Sequence, residues 1–511
     1  MKKTILILTL LVATLISASA ADFTVDGIAY NKNSDGTTVT VTSANYTDSV
    51  AIPSTVTYSD VTYTVTAIGE KAFYNCTNLT SVTIPNSVTT ISNAAFYYCT
   101  SLTDVGIGSS VTSIGDEAFR MCFNLTSVTL PNTVTTIGDY AFYNCNAMTS
   151  ATIGDAVTTI GDYAFYQCST LTEFTIPNSV TSIGQYAFQY CSGLTSVTIG
   201  NSLTTISNAA FYECSALTEL TLPNSLTTIG NSAFYNCSGL TSVSIGDSVT
   251  TIGERAFNNC NKLTSVTIPE TITSIGKYAF NNCSGLTSVT IPESLTSIGS
   301  KVFYNCTALT EVYFNAKNCN ASQYGSDACF TNCPLKKLTF GNEVESIPQC
   351  IAYNQKGLTS ITIPKSVTTI GIRAFYNCSG LTSVTIPDSV ASIGNNAFSG
   401  CSGLVNVQSL NPTPPTCGTL VFDESSYTEI TLYVPEGKVG IYSETSPWSN
   451  FTKITTKTSG DVNGDGLIDI ADVSAIITGI LNGTAPTTAD IDGDGEVNIS
   501  DVSELISFIL N

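Results

Sequence analysis

Two acidic segments close to the end of the sequence carry oxygen-bearing side chains at matching positions, 29 residues apart. In each segment Asp, Asn or Glu recurs at the spacing that wraps a hard cation of calcium's size, and a glycine stands where the loop must turn sharply. The seventh loop position contributes its backbone carbonyl. The candidate ligands are Asp461, Asn463, Asp465, Leu467, Asp469 and Asp472 in the first loop, and Asp490, Asp492, Asp494, Glu496, Asn498 and Asp501 in the second. The spacing therefore predicts two bound calcium ions.

Each acidic loop is followed by an apolar segment of helical period, and these segments predict helices over residues 473–481 and 502–510. The crowded carboxylates repel one another without a cation, so we expect calcium to order this region. Two such loop–helix units resemble a type I dockerin over residues 460–511, and the resemblance implies a cohesin-type protein partner. Clostridial dockerins carry Ser/Thr pairs at loop positions where this chain has Ile470-Ala471 and Ile499-Ser500. This departure leaves the calcium ligands intact and the identity of the partner open.

Most of the chain before this region repeats one phrase with a period of 23 residues. Its leading residue recurs at Leu79, Leu102, Leu125, Met148, Leu171, Leu194, Leu217, Leu240, Leu263, Leu286 and Leu309, and after one coil of 26 residues at Leu335, Leu358, Leu381 and Leu404. The apolar positions of one coil are Leu79, Val82, Ile84, Val88, Ile91, Ala95, Phe96 and Cys99. They predict a short strand, a second extended piece and an Ala-Phe pair that fills the interior. One coil cannot bury this face alone, so the coils must stack.

The pattern Leu-x-x-Val-x-Ile-Pro-x-x-Val-x-x-Ile-Gly-x-x-Ala-Phe-x-x-Cys resembles the BspA-like, or Treponema-type, leucine-rich repeat. The resemblance implies a bacterial secreted or cell-surface protein, often an adhesin. The fold class is therefore an α+β repeat solenoid, a leucine-rich-repeat stack with β caps, followed by the small α-helical, paired-EF-hand-like dockerin domain. The predicted divisions are a signal peptide (1–20), an N-terminal β cap (21–60), the solenoid (61–408), a C-terminal cap (409–457) and the calcium domain (458–511).

Charge and composition exclude several classes of function. The chain has 18 basic and 39 acidic residues, a net charge of −21, and no histidine. Nucleic acid and anionic membrane surfaces are poor partners for such a chain, since both attract Lys and Arg. A short apolar segment after Lys2 and Lys3, ending at Ala18-Ser19-Ala20, is typical of a secretory signal, and no later stretch reaches the length of a membrane span. The missing histidine removes the commonest general base, and we predict that the protein is not an enzyme.

Fourteen of the 18 cysteines occupy the same repeat position. They are Cys76, Cys99, Cys122, Cys145, Cys168, Cys191, Cys214, Cys237, Cys260, Cys283, Cys306, Cys333, Cys378 and Cys401. Secretion would allow disulfides between neighbouring coils, but one small buried thiol per coil explains the period better. Gln355 takes this position in one coil. Cys319, Cys329, Cys350 and Cys417 lie off register, and a Cys319–Cys329 disulfide is a further hypothesis.

Three functions are compatible with these features. The first is a secreted or cell-surface binding protein, whose solenoid contacts a host-surface protein or a glycan while the calcium domain docks elsewhere. The second is an architectural spacer in an extracellular assembly with no ligand of its own, and the third is a carbohydrate-active enzyme component. The outward strand positions are nearly all Thr or Ser, which suits either a repetitive ligand or none. Rows of tyrosine beside the phenylalanine form an aromatic stripe for ligands or pack neighbouring coils together, whereas Trp448 is predicted to pack inside the C-terminal cap.

Overall fold

The computed structural model describes residues 20–321, 325–456, 460, 462–463, 468–485, 489–491 and 496–510, without the side chains of residues 326 and 508. The predicted signal peptide lies outside this part of the chain except for its last residue. The chain divides into two compact units, Met1–Thr218 and Glu219–Asn511. Both consist of β-solenoid coils of about 23 residues, and the second also contains the small helical domain, which confirms the predicted fold class.

The residues predicted as a β cap form short strands at the start of the first unit. The strands of this region are β1 (Phe23–Val25), β2 (Ile28–Lys32), β3 (Thr38–Val41), β4 (Asp48–Ala51), β5 (Thr55–Tyr58), β6 (Val61–Ile68) and β7 (Leu79–Thr83). Antiparallel pairing joins β1 to β2, β2 to β3 and β5 to β6, and β3 lies parallel to β6. Strand β4 pairs in parallel with β7 and is the outermost strand of its sheet within the described residues.

Every later coil of the first unit contributes two short parallel strands. The first strands of these coils are Asp104–Gly106, Ser127–Thr129, Ser150–Thr152, Glu173–Ile176 and Ser196–Ile199. The second strands are Thr90–Ile91, Ser113–Ile114, Thr136–Ile137, Thr159–Ile160, Ser182–Ile183 and Thr205–Ile206. Equivalent residues stand side by side, as Ile114 does beside Ile137 and Val128 beside Ala151. The 23-residue period is thus the register of the sheets.

The second unit repeats this plan and ends in helices. Its first strands are Glu219–Thr221, Ser242–Ser244, Ser265–Thr267, Ser288–Ile291, Glu311–Phe314, Lys337–Phe340, Ser383–Ile386, Asn406–Ser409, Thr431–Val434 and Lys453–Thr456. Its second strands are Thr228–Ile229, Thr251–Ile252, Ser274–Ile275, Ser297–Ile298, Asn320–Ala321, Ser346–Ile347, Thr369–Ile370, Ser392–Ile393 and Thr416–Cys417. The helices are α1 (Ser426–Glu429), α2 (Val439–Glu444), α3 (Ile470–Asn482) and α4 (Ile499–Leu510), with 3-10 turns at Gly325–Asp327 and Trp448–Asn450.

A column of phenylalanine rings fills the interior of each unit, as the Ala-Phe pair predicts. In the first unit Phe119, Phe142 and Phe165 are completely buried, and their ring centroids lie 5.3 and 5.2 Å apart in nearly parallel planes. Phe257 and Phe280 stack in the same way in the second unit. The predicted burial of Trp448 is also confirmed, because its indole Nε1 donates to the Pro415 carbonyl at 2.9 Å inside the C-terminal cap.

The glycine that follows the second strand of most coils is needed for space rather than for its backbone freedom. A Cβ atom on Gly138 would lie 2.6 Å from the backbone nitrogen of Asp116 in the preceding coil. The left-handed conformations fall instead on non-glycine residues of the following turn, such as Tyr140 (φ 57°) and Asn144 (φ 59°). Asparagine tolerates this conformation better than most side chains, which accounts for its frequency just before the cysteine.

The repeated cysteines are free thiols that donate hydrogen bonds between coils. Cys99 Sγ lies 3.0 Å from the Phe73 carbonyl oxygen, and Cys191 Sγ lies 3.2 Å from that of Phe165. In the second unit Cys401 makes the same bond to Phe375 at 3.1 Å. The prediction that these thiols are buried is confirmed. The sequence did not reveal their second role, which is to donate a hydrogen bond from the next coil to a turn carbonyl that also accepts from a backbone N–H of its own coil, as Phe73 does from Cys76.

Gln355 shows that this position needs a donor. Its side chain is 3% exposed, and its Nε2 donates to the Phe330 carbonyl at 2.8 Å, where a cysteine would otherwise donate. The amide oxygen also accepts from the Leu335 backbone nitrogen at 3.3 Å. The substitution therefore keeps the hydrogen bond while it changes the chemistry of the side chain.

The hypothesis of a Cys319–Cys329 disulfide is wrong, because neither residue forms a disulfide. Cys319 immediately precedes the strand Asn320–Ala321, whereas Cys329 lies in the turn beyond the 3-10 helix, where its carbonyl accepts from the Phe303 nitrogen. Cys329 thus takes the place of the alanine in the usual Ala-Phe pair.

Burial should make the cysteines inert in the native protein. Seventeen of the 18 thiols are buried, and burial raises the pKa of Cys168 and Cys283 to about 12, so the reactive thiolate is scarce at neutral pH. We expect a thiol reagent to modify at most Cys417 in native protein, and all 18 cysteines in guanidinium without reductant. If two or more of the 18 cysteines failed to react in guanidinium, the protein would contain disulfides, and the free-thiol structure would be contradicted.

The donor requirement can be tested at Gln355. We expect Gln355→Leu to lower the free energy of unfolding by about 1–3 kcal/mol, because the Leu335 N–H loses its acceptor and the Phe330 carbonyl keeps only the bond from the Cys333 nitrogen. Gln355→Cys restores a thiol donor and should lower the free energy of unfolding by less. The measurement is chemical unfolding of both variants beside the parent protein. Equal stability of the Leu and Cys variants would show that size alone decides this position.

Candidate functional site

The two C-terminal helices pack against each other through one small apolar core. Val473 and Ile476 of α3 meet Val502 and Leu505 of α4 in a buried cluster that also includes Val462 and Ala489. Both helices begin three residues earlier than the sequence predicts, at Ile470 and Ile499. Asp469 explains the earlier start of α3, because its carboxylate accepts from the Ala471 nitrogen at 2.7 Å and forms a capping box with Asp472.

Asp472, the last residue of the first acidic loop, ties the two ends of that loop together. Its side chain is completely buried. One carboxylate oxygen accepts from the backbone nitrogens of Val462 and Asn463 at 2.6 and 2.9 Å, and the other accepts from the Asp469 nitrogen at 2.9 Å. A carboxylate has about four acceptor positions, so these bonds leave room for one more interaction.

Asp501 plays the same part in the second loop. It is completely buried, and its two oxygens accept from the backbone nitrogens of Ile491 and Asn498 at 2.6 and 2.8 Å. Asn498 in turn accepts from the Ser500 nitrogen at 2.8 Å, which matches the capping role of Asp469. The two loops are therefore built alike at every position that the structure describes in both.

The charge of this domain suits a cation. Residues 458–511 contain ten acidic residues and neither Lys nor Arg, and the ion pairs between described residues all lie elsewhere. Burying a carboxylate without a counter-charge is costly, and hydrogen bonds from backbone N–H groups offset only part of that cost. A buried aspartate at the last position of each acidic loop thus fits one hard divalent cation per loop.

The structure describes seven of the twelve predicted ligands. These are Asn463, Asp469, Asp472, Asp490, Glu496, Asn498 and Asp501. Asp461, Asp465, Leu467, Asp492 and Asp494 lie outside the described residues. Within the described part no three acidic or thiol side chains converge as a metal site, which is expected when five ligand positions are not included. Backbone hydrogen bonds bring Asn463, Asp469 and Asp472 together.

Each helix also presents an apolar stripe to solvent. On α3 the stripe is Ile470, Ile477 and Leu481, and on α4 it is Ile499, Ile506 and Leu510, at the same spacing. Leu481 and Leu510 are both 79% exposed. The sequence left open whether these helices pack on each other or on a partner. In the structure the two faces of each helix differ. Val473 and Ile476 of α3 and Val502 and Leu505 of α4 pack in the shared core, whereas the apolar stripe of each helix is exposed.

The Thr and Ser positions on the outer surface of the solenoid make structural hydrogen bonds. Thr103 Oγ1 donates to the Thr80 carbonyl at 3.0 Å, and Thr112 Oγ1 donates to the Thr89 carbonyl at 3.1 Å. The second unit has equivalent bonds, such as that from Thr296 to Thr273 at 3.0 Å. Because these hydroxyls reach back to the preceding coil, the recurrence of threonine at these two positions has a structural cause that the sequence did not reveal.

The tyrosine rows likewise pack neighbouring coils. Tyr143 stacks on Tyr166 with ring centroids 4.5 Å apart, and Tyr140 stacks on Tyr163 at 4.8 Å. Arg120 takes the place of tyrosine in the coil before Tyr143, and its guanidinium lies 4.9 Å from the Tyr143 ring centroid. Stacked faces cover one another and leave mainly ring edges to solvent, which favours the packing interpretation over a stripe that stacks on sugars.

None of the helices among the described residues is long and apolar enough to cross a membrane.

Comparison with known proteins agrees with these two regions. The repeats match the BspA-type leucine-rich repeat region in overlapping segments that together span residues 52–443, more than half of the chain. Residues 459–510 match the dockerin type I domain. Domains of this type bind calcium and dock onto cohesins. A search of curated proteins finds no match.

Several solved structures resemble the chain. A leucine-rich repeat protein from Bacteroides ovatus is 27% identical, with 86% of this chain and 100% of that chain covered and a TM-score of 0.50. A leucine-rich cell-surface protein from Faecalibacterium prausnitzii is 27% identical over 77% and 96% of the two chains, with a TM-score of 0.37. The pneumococcal vaccine antigen PcpA is 17% identical over 85% and 98%, with a TM-score of 0.44. By its repeats, the chain belongs to the BspA-type leucine-rich repeat family, and it also carries a dockerin type I domain.

Proposed function

We propose that this protein is an extracellular, non-catalytic binding protein that is attached to a cohesin-type partner by its calcium-ordered C-terminal domain. The observation that carries the proposal is the exposed apolar stripe on α3 and its counterpart on α4, beside two loops closed by buried aspartates. BspA-type and dockerin proteins are typically extracellular or surface-associated, and leucine-rich repeat proteins are typically non-catalytic. The predicted signal peptide supports export.

In this proposal two calcium ions are held by the oxygen ligands predicted above. A bound calcium ion supplies positive charge that neutralises the crowded carboxylates. Asp472 and Asp501 position the loops, since their backbone hydrogen bonds hold the first and last parts of each loop at the helix start. The loops then fix the ends of α3 and α4, and with them the direction in which the two apolar stripes point.

The stripe chemistry suggests the nature of the docking surface. Ile470 and Ile499 are 71% and 72% exposed at the loop position where clostridial dockerins carry a hydroxyl. An apolar patch on a domain with ten acidic residues fits a partner with an apolar face bordered by basic groups. The cohesin-type partner would therefore be recognised chiefly by apolar burial.

An architectural spacer is the second candidate for the solenoid. The hydroxyl bonds of Thr103 and Thr112 and the stacked tyrosines account for the regular surface without any ligand. These observations weaken the case for a host-surface protein or glycan bound along the repeats. A role as a component of a carbohydrate-active assembly would rest on the docking domain alone.

Calcium binding depends on the loop-closing aspartates in this proposal. We expect calorimetric titration of the full-length chain to show two calcium ions per chain, and Asp472→Ala to weaken the first site by about 10- to 100-fold through loss of a ligand and of three backbone bonds. Glu504→Gln, in the same domain but on the exposed side of α4, is the matched control and should bind as the parent does. Unchanged binding by Asp472→Ala would contradict the site.

Docking should require both calcium and the stripe. We expect a bait of residues 458–511 to capture a partner from secreted and envelope extracts of the source bacterium with calcium, and to lose it with chelator. Ile477→Lys/Ile506→Lys should abolish capture because a charge must then be buried at the contact, without changing calcium affinity. Thr478→Lys, one residue around the helix, should retain capture. Capture that survives the double substitution would place docking on another surface.

A further inference from the structure

The N-terminal cap contains a cleft that is independent of the docking domain. Its volume is about 660 Å³, within the range of small-ligand sites. Three elements form its walls. They are the turn between β1 and β2 at Val25 to Ile28, strand β4 with its flanks, and the strand β5 residues Thr55 to Thr57.

One wall of this cleft is an unpaired strand edge. Asp48 donates its backbone N–H to the Asn78 carbonyl just before β7, and Ile52 donates its own to the Thr83 carbonyl at the end of β7. Neighbouring residues of a strand direct their backbone groups to opposite edges, so Ser49 and Ala51 direct theirs away from β7. Both residues line the cleft, and β4 has no second strand beside it among the described residues. Such an edge is a template for one added strand.

The other walls limit what can bind there. The β1–β2 turn and β5 close the cleft on the side away from β7, so the space suits a single extended chain rather than the edge of another sheet. At a rise of about 3.3 Å per residue, the four residues of β4 pair with a segment of about four residues. Val50, which is half-buried, and Val56 line the cleft and supply apolar contacts for alternate side chains.

Charge selects the kind of peptide. Asp26 is the one ionised residue among those that line the cleft, and no Lys or Arg lines it. Asp26 sits at the exposed turn with a left-handed backbone (φ 49°), which Gly27 continues (φ 80°). A carboxylate at the rim, without a basic neighbour in the lining, favours a segment that carries a Lys or Arg side chain.

We propose that this cleft binds an extended, basic peptide segment of a partner protein, which adds in register to the free edge of β4. The peptide backbone bonds to Ser49 and Ala51, and its Lys or Arg side chain pairs with Asp26. This role goes beyond calcium-dependent docking and does not rest on it, because the cleft belongs to the first unit and contains no predicted calcium ligand.

An array of randomised, acetylated pentapeptides tests the proposal with the full-length protein as probe. We expect selected peptides to contain Lys or Arg, and N-methylation of alternate backbone nitrogens in them to abolish binding. Ala51→Pro removes the N–H that faces the cleft and leaves the neighbouring bonds to β7, so it should weaken binding at least about fivefold, the effect of one hydrogen bond. Asp26→Asn should abolish the preference for basic peptides.

Ala51→Ser is the matched control, because it keeps the backbone N–H at the same position. A thermal unfolding midpoint for Ala51→Pro equal to that of Ala51→Ser establishes that the fold is intact. If Ala51→Pro unfolds, Asp26→Asn and the N-methylated peptides decide the question, because neither alters the edge strand. Selection of no peptide, unchanged binding of the N-methylated peptides, or selection of the same peptides by a folded Ala51→Pro would overturn the proposal. Concentration-dependent dimers that Ala51→Pro abolishes would overturn it by assigning the edge to a second copy of the chain.

Discussion

The hydrogen-bonded register between neighbouring coils is the constraint on which the rest of the solenoid depends. Within each unit, strand pairs and threonine hydroxyls join equivalent positions of neighbouring coils, and each thiol donor joins a cysteine to the phenylalanine carbonyl of the preceding coil. A change in coil length that is not absorbed in a turn would shift these bonds out of register together. The 23-residue period is therefore fixed by geometry at several points around the coil, rather than by the apolar core alone.

The irregular coil shows how this constraint accommodates extra residues. The spacing from Leu309 to Leu335 is 26 residues, yet Glu311 pairs with Lys337 just as regular coils pair. The extra chain falls between the strand Asn320–Ala321 and Phe330, near a 3-10 turn, where no strand pair must be kept. Phe330 still stacks on Phe303 at 5.4 Å, so the aromatic column continues through this coil, and in the next coil Ala352 takes the position of the phenylalanine.

The sequence predicts what is set by burial and periodicity, and misses what is set by hydrogen bonds. Phe142 in the interior and the buried Trp448 follow from apolar spacing, and both are present. The donor role of Cys99 could not be predicted from residue type, because a need for a small apolar side chain also accounts for cysteine at this position. In the dockerin type I domain, the loop spacing predicts Asp472 and Asp501 as ligands, but it does not predict that both are completely buried and bonded to the backbone. Their burial depends on how α3 and α4 pack, which a twelve-residue motif does not encode.

Equivalent bonding from coil to coil also bears on how such a chain changes through evolution. Ile114 meets Ile137 as Ile137 meets Ile160, so an in-frame duplication or deletion of one whole coil within a unit recreates the same junction. Recombination between near-identical repeats would then alter the length of the protein without passing through a misfolded intermediate. Related strains should accordingly differ in the number of coils far more readily than in the length of any one coil.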